Sequence, residues 1–376
     1  MTQPPTWGAP PPQQPGGWPG QPGPSGQWGP PQQPWPAPVP PKKGGAAKWA
    51  IGAVSLVAVI AVTAVVAVSC TKSSGGNNSS GGGGSSTSVA PPDVASANDK
   101  GPVGIITEDP SCAPWGPINN TLADVENKGW QTRDPSIPAS SWTPDVKSQY
   151  EAVGNAMQNA ADQAVPLAKM TPHRVMRELY GQFTVYARAY AASVSRYTPI
   201  DNNLAFTAGT TSLVIGYVCR AISSGAAAAR ASLVPAQTQP ASTAPVGDLS
   251  SPQRIFASPD PICADLSPTL DSLLQNPTFK SWTNGDPSIS ASNWPPEQRS
   301  LTDAVAPVMT STADSLEALT HKSSNPIIWD FIQLGVQYRR TFIASLSTYQ
   351  ASDQNIYLAG QYAPGIVSMA CNYAAG

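Results

Sequence analysis

Residues 130–145 read WQTRDPSIPASSWTPD, and residues 282–297 read WTNGDPSISASNWPPE. The two segments share the pattern W-x3-D-P-S-I-x-A-S-x-W-x-P-[DE] at an offset of 152 residues. The same offset relates residues 192–203 to residues 344–355, which share alanine, serine, tyrosine, aspartate and asparagine positions. One register held over this distance indicates a duplicated domain, because the period is too long for a solenoid repeat. The sequence therefore predicts two tandem copies.

Four of the five cysteines follow the same register, one near the start and one near the end of each copy. Cys219 and Cys371 are 152 residues apart, and Cys112 and Cys263 are 151 residues apart. The simplest pairing joins Cys112 to Cys219 and Cys263 to Cys371, although the sequence allows other connectivities. A bridge that closes a loop of about 100 residues stabilises by up to roughly 4–5 kcal/mol in the chain-entropy model.

The apolar residues of each copy recur with the period of a helix. In the first copy they repeat every three to four positions from Val153 to Leu167, and Thr143 is placed to cap the start of that helix. A second helix is expected after Pro172, its counterpart in the second copy is expected after Pro326, and a third, short helix should end at the closing cysteine. The expected fold class is mainly α, with two small tandem helical bundles, each closed by a disulfide.

The first part of the chain differs sharply in composition from the two copies. Residues 1–45 are rich in proline, with four tryptophans and little else to bury, so a disordered tail is expected. The composition of this tail agrees with two roles, a docking segment for partners or a plain spacer. Residues 46–71 contain an uncharged run of 23 residues, long enough to cross a bilayer as one helix. Three lysines precede the run and one follows closely, which predicts a cytoplasmic tail and extracytoplasmic copies.

The remaining boundaries follow from composition and leave two alternatives open. The apolar run is too long, and too far from the N-terminus, for a cleaved signal peptide. Cys70 at its end resembles a lipoprotein processing site, so lipidation stands as an alternative to an uncleaved anchor. Residues 72–101 form a Gly/Ser-rich linker, and residues 223–252 form an Ala/Ser/Pro-rich linker that is a possible glycosylation site. The two copies then occupy residues 102–222 and 253–376.

The duplicated segments also supply the candidate binding residues, which are Trp130, Trp142, Trp282, Trp294, Arg188 and Arg340. The tryptophans could line a groove for glycans or lipids, although repeated tryptophans in a small domain more often belong to the core. The arginines could bind an anion or lie in salt bridges. Asp201 and Asp353 precede the last helix of each copy and fit N-cap positions.

The sequence contains none of the common catalytic motifs. A G-x-S-x-G elbow, a P-loop, H-E-x-x-H and a dinucleotide fingerprint are all missing. His173 and His321 are the only two histidines, and neither recurs in the other copy. A net charge of −2 argues against a nucleic-acid binder. We therefore expect a non-enzymatic protein with no cofactor and no metal site.

The Pro/Gln/Gly/Trp-rich tail, the lysine-flanked span and the cysteine-paired outer region resemble a broad class of actinobacterial single-pass membrane proteins, many of mycobacterial type. The resemblance implies a cell-membrane location and assigns no functional residue. The expected function is that of a cell-envelope protein whose outer copies bind a protein or an envelope component and whose tail recruits partners inside the cell. The alternative is a carrier or sensor of a hydrophobic ligand, which a large apolar cavity between the helices would favour.

Overall fold

The computed structural model describes residues 93–236 and 239–375. Within these ranges the chain is helical and contains no strand, as the sequence predicted. The predicted tail, the membrane segment and most of the first linker lie outside the described residues. The α-helices are α1 (Cys112–Glu126), α2 (Pro144–Met170), α3 (Arg174–Ser193), α4 (Asn202–Ser223), α5 (Ala226–Arg230), α6 (Cys263–Gln275), α7 (Pro277–Thr283), α8 (Pro296–Leu319), α9 (Pro326–Ser345) and α10 (Gln354–Ala374).

The helix boundaries repeat with the offset found in the sequence. The helices α2, α3 and α4 begin 152 residues before α8, α9 and α10 respectively. The last helix of each copy is longer than expected, with 22 residues in α4 and 21 residues in α10. It continues past the closing cysteine instead of stopping there, because the chain beyond Cys219 and Cys371 keeps its helical hydrogen bonds.

Local hydrogen bonds explain where these helices begin. The Thr143 hydroxyl accepts a hydrogen bond from the backbone N–H of Val146 at 3.3 Å, which confirms Thr143 as the N-cap of α2. Asp201 occupies the N-cap position of α4, but its carboxylate accepts from the backbone N–H of Thr198 at 2.8 Å. Asp353 does the same at the start of α10. Both aspartates therefore close the 3-10 turn that leads into the helix.

The two copies share one hydrophobic core. The described residues belong to a single compact unit, and its buried apolar side chains form one cluster drawn from both copies. The last helices of the copies pack against each other, with the rings of Tyr217 on α4 and Tyr362 on α10 stacked at 5.8 Å. The structure thus shows a helical unit built from both copies, and separate tandem bundles remain a prediction.

Part of the stretch expected to be a linker is helical and attached to both copies. It begins with α5, whose last residue Arg230 forms an ion pair with Asp353 of the second copy at 2.9 Å. Further along, the backbone carbonyl of Ser250 accepts a hydrogen bond from Arg188 of the first copy at 2.5 Å. These contacts anchor the connection at both ends.

The structure contains both disulfides. Cys112 at the start of α1 is bonded to Cys219 in α4, with their Cα atoms 5.3 Å apart. Cys263 at the start of α6 is bonded to Cys371 in α10, with their Cα atoms 5.5 Å apart. Each bridge therefore ties the first helix of a copy to its last helix.

One described helix is long and apolar enough to cross a bilayer, Pro199–Ser223, with a mean hydropathy of 1.2. Inside the fold, however, 67% of its apolar window is buried, and α4 packs against α3 and α10. A core helix of a soluble domain has the same properties, so this helix is weak support for a membrane location. The finding is compatible with such a location and says nothing about orientation.

Two glycines allow α9 and α10 to approach closely. A Cβ atom added at Gly335 would lie 2.5 Å from the ring of Pro364, and one added at Gly360 would lie 2.7 Å from the backbone nitrogen of Arg339. At Gly209 in α4, by contrast, an added Cβ meets nothing within 4 Å. The close crossing of α9 and α10 therefore requires glycine, whereas α4 has space for alanine.

This difference predicts opposite effects for the same substitution. Gly360→Ala should destabilise by about 1–3 kcal/mol, because the new methyl group overlaps backbone that cannot move aside. Gly209→Ala should stabilise by about 0.5–1 kcal/mol, because alanine loses less entropy in a helix interior. Chemical denaturation of both variants measures the two changes. A loss of stability in Gly209→Ala equal to that in Gly360→Ala would contradict the packing described for α9 and α10.

Candidate functional site

The Asp-Pro-Ser-Ile segment of each copy is bonded to itself. The Asp134 carboxylate accepts a hydrogen bond from the Ser136 backbone N–H at 2.9 Å, and Asp286 accepts the equivalent bond from Ser288 at 2.8 Å. Hydrogen bonding by Ser136 lowers the pKa of Asp134, and Ser288 has the same effect on the pKa of Asp286. Each aspartate therefore forms the local turn that its position before proline favours.

A tyrosine holds this segment against the rest of its copy. The Tyr197 hydroxyl donates to the carbonyl of Pro135 at 2.8 Å, and the backbone carbonyl of Tyr197 accepts from the N–H of Ala139 at 2.9 Å. The second copy repeats both bonds from Tyr349, at 2.6 Å and 2.9 Å. The sequence pattern placed both tyrosines in the shared register but did not link them to the motif.

Trp142 and Trp294 close the same loops. Each is half-buried and donates its indole N–H at 2.8 Å to a backbone carbonyl five residues earlier in the chain, in Ile137 and Ile289. The ring of Trp142 lies 5.3 Å from that of Tyr197, and the Trp294 ring is similarly placed beside Tyr349 at 5.5 Å. These two tryptophans thus have a structural role in the loop.

Trp130 and Trp282 contact other aromatic side chains of their own copies. Trp130 is buried and donates its indole N–H to the hydroxyl of Tyr190 at 3.1 Å. Trp282 packs edge-on against Tyr357 and Phe342, with ring centroids at 5.2 Å and 5.9 Å. The four candidate tryptophans therefore contact aromatic rings of their own copies.

Arg188 and Arg340 occupy equivalent positions and form equivalent ion pairs. Arg188 on α3 contacts Asp162 on α2 at 2.7 Å. Arg340 on α9 contacts Asp314 on α8 at 2.7 Å and also Glu317 at 2.7 Å. Both arginines therefore connect neighbouring helices within a copy.

The structure brings together a group of charged residues that the sequence analysis did not single out. They lie where α3 approaches α9, and we name them the junction cluster: Asp99, Arg174, Arg177, Glu178 and Asp330. Arg174 donates two hydrogen bonds to Asp330, at 2.7 Å and 2.8 Å, and further bonds to the backbone carbonyls of Asp99 and Gly101. Arg174 and Asp330 are 2% and 1% exposed, so this bidentate ion pair is fully buried between the copies.

Two acidic residues of the junction cluster follow the register of the copies. Glu178 and Asp330 are 152 residues apart and are both acidic, on helices whose other side chains at this contact are mainly buried. Their partners do not recur, because Arg174 corresponds to Pro326 and Arg177 corresponds to Trp329. Comparison of the copies alone therefore could not reveal the cluster.

A cavity of about 210 Å³ lies next to the junction cluster, between the extended segment that precedes α1 and the start of α3. Its walls include Asp99, Ile106, His173 and Arg174. The Nε2–H of His173 donates to the backbone carbonyl of Glu108 at 2.9 Å, so one side of the ring is already bonded within the protein.

A second polar site occurs in the first copy alone. The Arg133 guanidinium lies 3.3 Å from the centre of the Trp130 ring and donates a hydrogen bond to Asn202. Nearby, burial raises the pKa of Glu126 to about 7, against an opposing effect of Arg133. Gly285 replaces Arg133 at the equivalent position of the second copy, so the site is not duplicated.

Comparison with known proteins places the chain in a family. Residues 94–376 match the model of the mycobacterial ESX-1 associated protein family. The chain belongs to this family. It is also 42% identical to an uncharacterized protein of Mycolicibacterium smegmatis (strain MKD8) over 345 residues, which cover 92% of this chain and 91% of the relative. No solved structure matches the chain.

The family match fits the mycobacterial resemblance of the sequence but does not extend to its membrane-protein class. The matched residues begin after the expected membrane segment and include both copies, both disulfides and the junction cluster. Among the described residues, no group of three or more His, Cys, Asp and Glu side chains is arranged to hold a metal ion.

Proposed function

We propose that this chain is a non-enzymatic protein of the mycobacterial cell envelope that works with the ESX-1 secretion system by binding a protein partner. The observation that carries the proposal is the family match, which spans the whole duplicated helical unit. The resemblance of the tail and span to actinobacterial membrane proteins supports an envelope location. The outer unit is the part that contacts the partner, and the Pro-rich tail recruits further partners inside the cell.

The two disulfides support the orientation in this proposal. Disulfides form and persist in oxidising compartments and are rare in the cytosol. Both described disulfides lie on the C-terminal side of the expected span, in residues 112–371. With the helical unit outside the cytoplasm and the tail inside it, the disulfides lie in an oxidising compartment. The same orientation agrees with the excess of lysines before the expected span. A phosphatase that is active only after export should therefore be active when it is fused after residue 92.

The geometry of the candidate residues favours a binding role over catalysis. The duplicated tryptophans, aspartates and arginines bond within their own copies, and the buried carboxylates of the junction cluster face arginines. The cavity beside Arg174 is about 210 Å³, which is below the roughly 300–1,000 Å³ typical of ligand pockets. This cavity is therefore smaller than a pocket for a carried hydrophobic ligand.

Secretion in a mycobacterial strain that lacks the gene tests the proposal. Complementation with the full chain should restore ESX-1-dependent protein in the culture filtrate, and a chain that lacks residues 94–376 should not. A chain that lacks residues 1–41 separates the contribution of the tail from that of the outer unit. Normal ESX-1-dependent secretion in the strain without the gene would contradict the proposed role.

A further inference from the structure

Glu178 on α3 and Asp330 on α9 mark the place where equivalent parts of the two copies meet. They are 152 residues apart, and their side chains are 4% and 1% exposed. In an interface with twofold symmetry, equivalent residues of the two halves contact each other. The two copies of this chain approximate such an interface. Two acidic groups are therefore buried side by side where the copies touch.

The charged groups around Glu178 come from three parts of the fold. Its own helix supplies Arg174 and Arg177, α9 supplies Asp330, and the segment before α1 supplies Asp99. Arg174 is occupied by Asp330, while the guanidinium of Arg177 lies 3.6 Å from Glu178. With Glu178 neutral, two arginines balance two aspartates. An ionised Glu178 would leave three carboxylates facing two arginines, of which Arg177 is the one beside Glu178.

The surroundings of Glu178 do not support a charged carboxylate. Within the described residues, neither of its oxygens accepts a hydrogen bond. Arg177 donates from Nη1 to the backbone carbonyl and the hydroxyl of Ser96 at 3.1 Å and 3.2 Å, and its Nη2 lies 3.6 Å from Glu178, too far for a hydrogen bond. Burial, together with the neighbouring charge of Asp330, raises the pKa of Glu178 well above its ordinary value of 4.5.

We propose that Glu178 is a proton-binding site at the contact between the two copies, and that loss of its proton weakens the packing of α3 against α9. The bound proton keeps the junction cluster neutral overall. Removal of the proton places a second buried negative charge beside Asp330, at a contact where water cannot solvate it. Proton release thus becomes linked to the stability of the unit formed by both copies.

The direction of the pH dependence follows from proton linkage. The folded chain binds the Glu178 proton more tightly than the unfolded chain, whose carboxyl has an ordinary pKa near 4.5. The stabilisation by this proton is complete below that value and is lost as the pH rises toward the folded pKa. In that interval the unfolding equilibrium shifts by up to about tenfold per pH unit.

Glu178→Gln in the full chain is the test, because glutamine imitates the neutral acid. The variant and the wild type should unfold at the same denaturant concentration near pH 5, and the variant should resist more denaturant near pH 8. The matched control is Glu151→Gln, on the exposed surface of α2, which should follow the wild type at both pH values. A Glu178→Gln variant that is weaker by the same amount at every pH would overturn the proposal.

Infrared spectroscopy provides a second measurement that does not depend on whether the Glu178→Gln variant folds. A protonated carboxyl has a carbonyl stretch that a carboxylate lacks. The full chain with Glu126→Gln, which removes the other acid with a raised pKa, should keep this band at pH 7. The absence of a protonated-carboxyl band at pH 7 would overturn the assignment of the proton to Glu178.

Discussion

Arg174→Met is expected to destabilise the protein by about 3–5 kcal/mol, because it leaves a buried carboxylate without its cation. Arg174 is 2% exposed, and its guanidinium bonds Asp330 at two positions as well as two backbone carbonyls before α1. Such a pair adds little net stability compared with apolar residues, but removal of one partner exposes the full desolvation cost of the other. Denaturant unfolding followed by far-ultraviolet circular dichroism measures the loss.

Arg188→Met is the matched control for this prediction. It changes the same residue type on the same helix, but Arg188 pairs with Asp162, whose side chain is 52% exposed. Exposed pairs contribute about 0–1 kcal/mol, so the control should lose about 1 kcal/mol or less. Equal losses in the two variants would show that the junction cluster is not a buried contact between the copies.

Removal of either disulfide is expected to have a similarly large effect. The bridges span 107 and 108 residues, and loops of this length predict a stabilisation of about 4–5 kcal/mol each in the chain-entropy model. Because the two loops are almost equal, Cys112→Ala with Cys219→Ala should cost about as much as Cys263→Ala with Cys371→Ala. The two double variants can be compared with the wild type in the same denaturation experiment.

The comparison between the double variants is more informative than either value alone. If the copies form one cooperative unit, loss of either bridge should lower a single shared transition. If the copies fold separately, each double variant should show two transitions, of which only one moves. The second outcome would contradict the shared core described for the two copies.

The duplication made the helical architecture predictable from the sequence. The offset of 152 residues placed matching helix starts in the two copies, and the capping role of Thr143 followed from its position before a proline. These features are local or periodic, and a sequence displays both kinds directly. The pattern allowed either a binding role or a structural role for Trp142 and Trp294, and both form hydrogen bonds within their own loops.

The junction cluster could not be predicted because it depends on how the copies pack against each other. Arg174 meets Asp330 across 156 positions of the chain, and Arg174 has no equivalent in the second copy. The contacts of the second linker could not be predicted for a similar reason. Its composition resembles a flexible segment, but Arg230 fixes it to Asp353 through an ion pair that composition does not show.

Cross-linking in living mycobacteria, followed by mass spectrometry, tests the proposed function most directly. The full chain is compared with a chain that lacks residues 1–41, and cross-links are assigned from the exposed lysines of the helical unit, such as Lys147 and Lys322. We predict cross-links from this unit to components of the ESX-1 secretion system in both strains. Cross-links between the N-terminal part of the chain and cytoplasmic proteins should be lost when the tail is removed. Cross-links from the helical unit to cytoplasmic proteins, with none to ESX-1 components in either strain, would contradict the proposal.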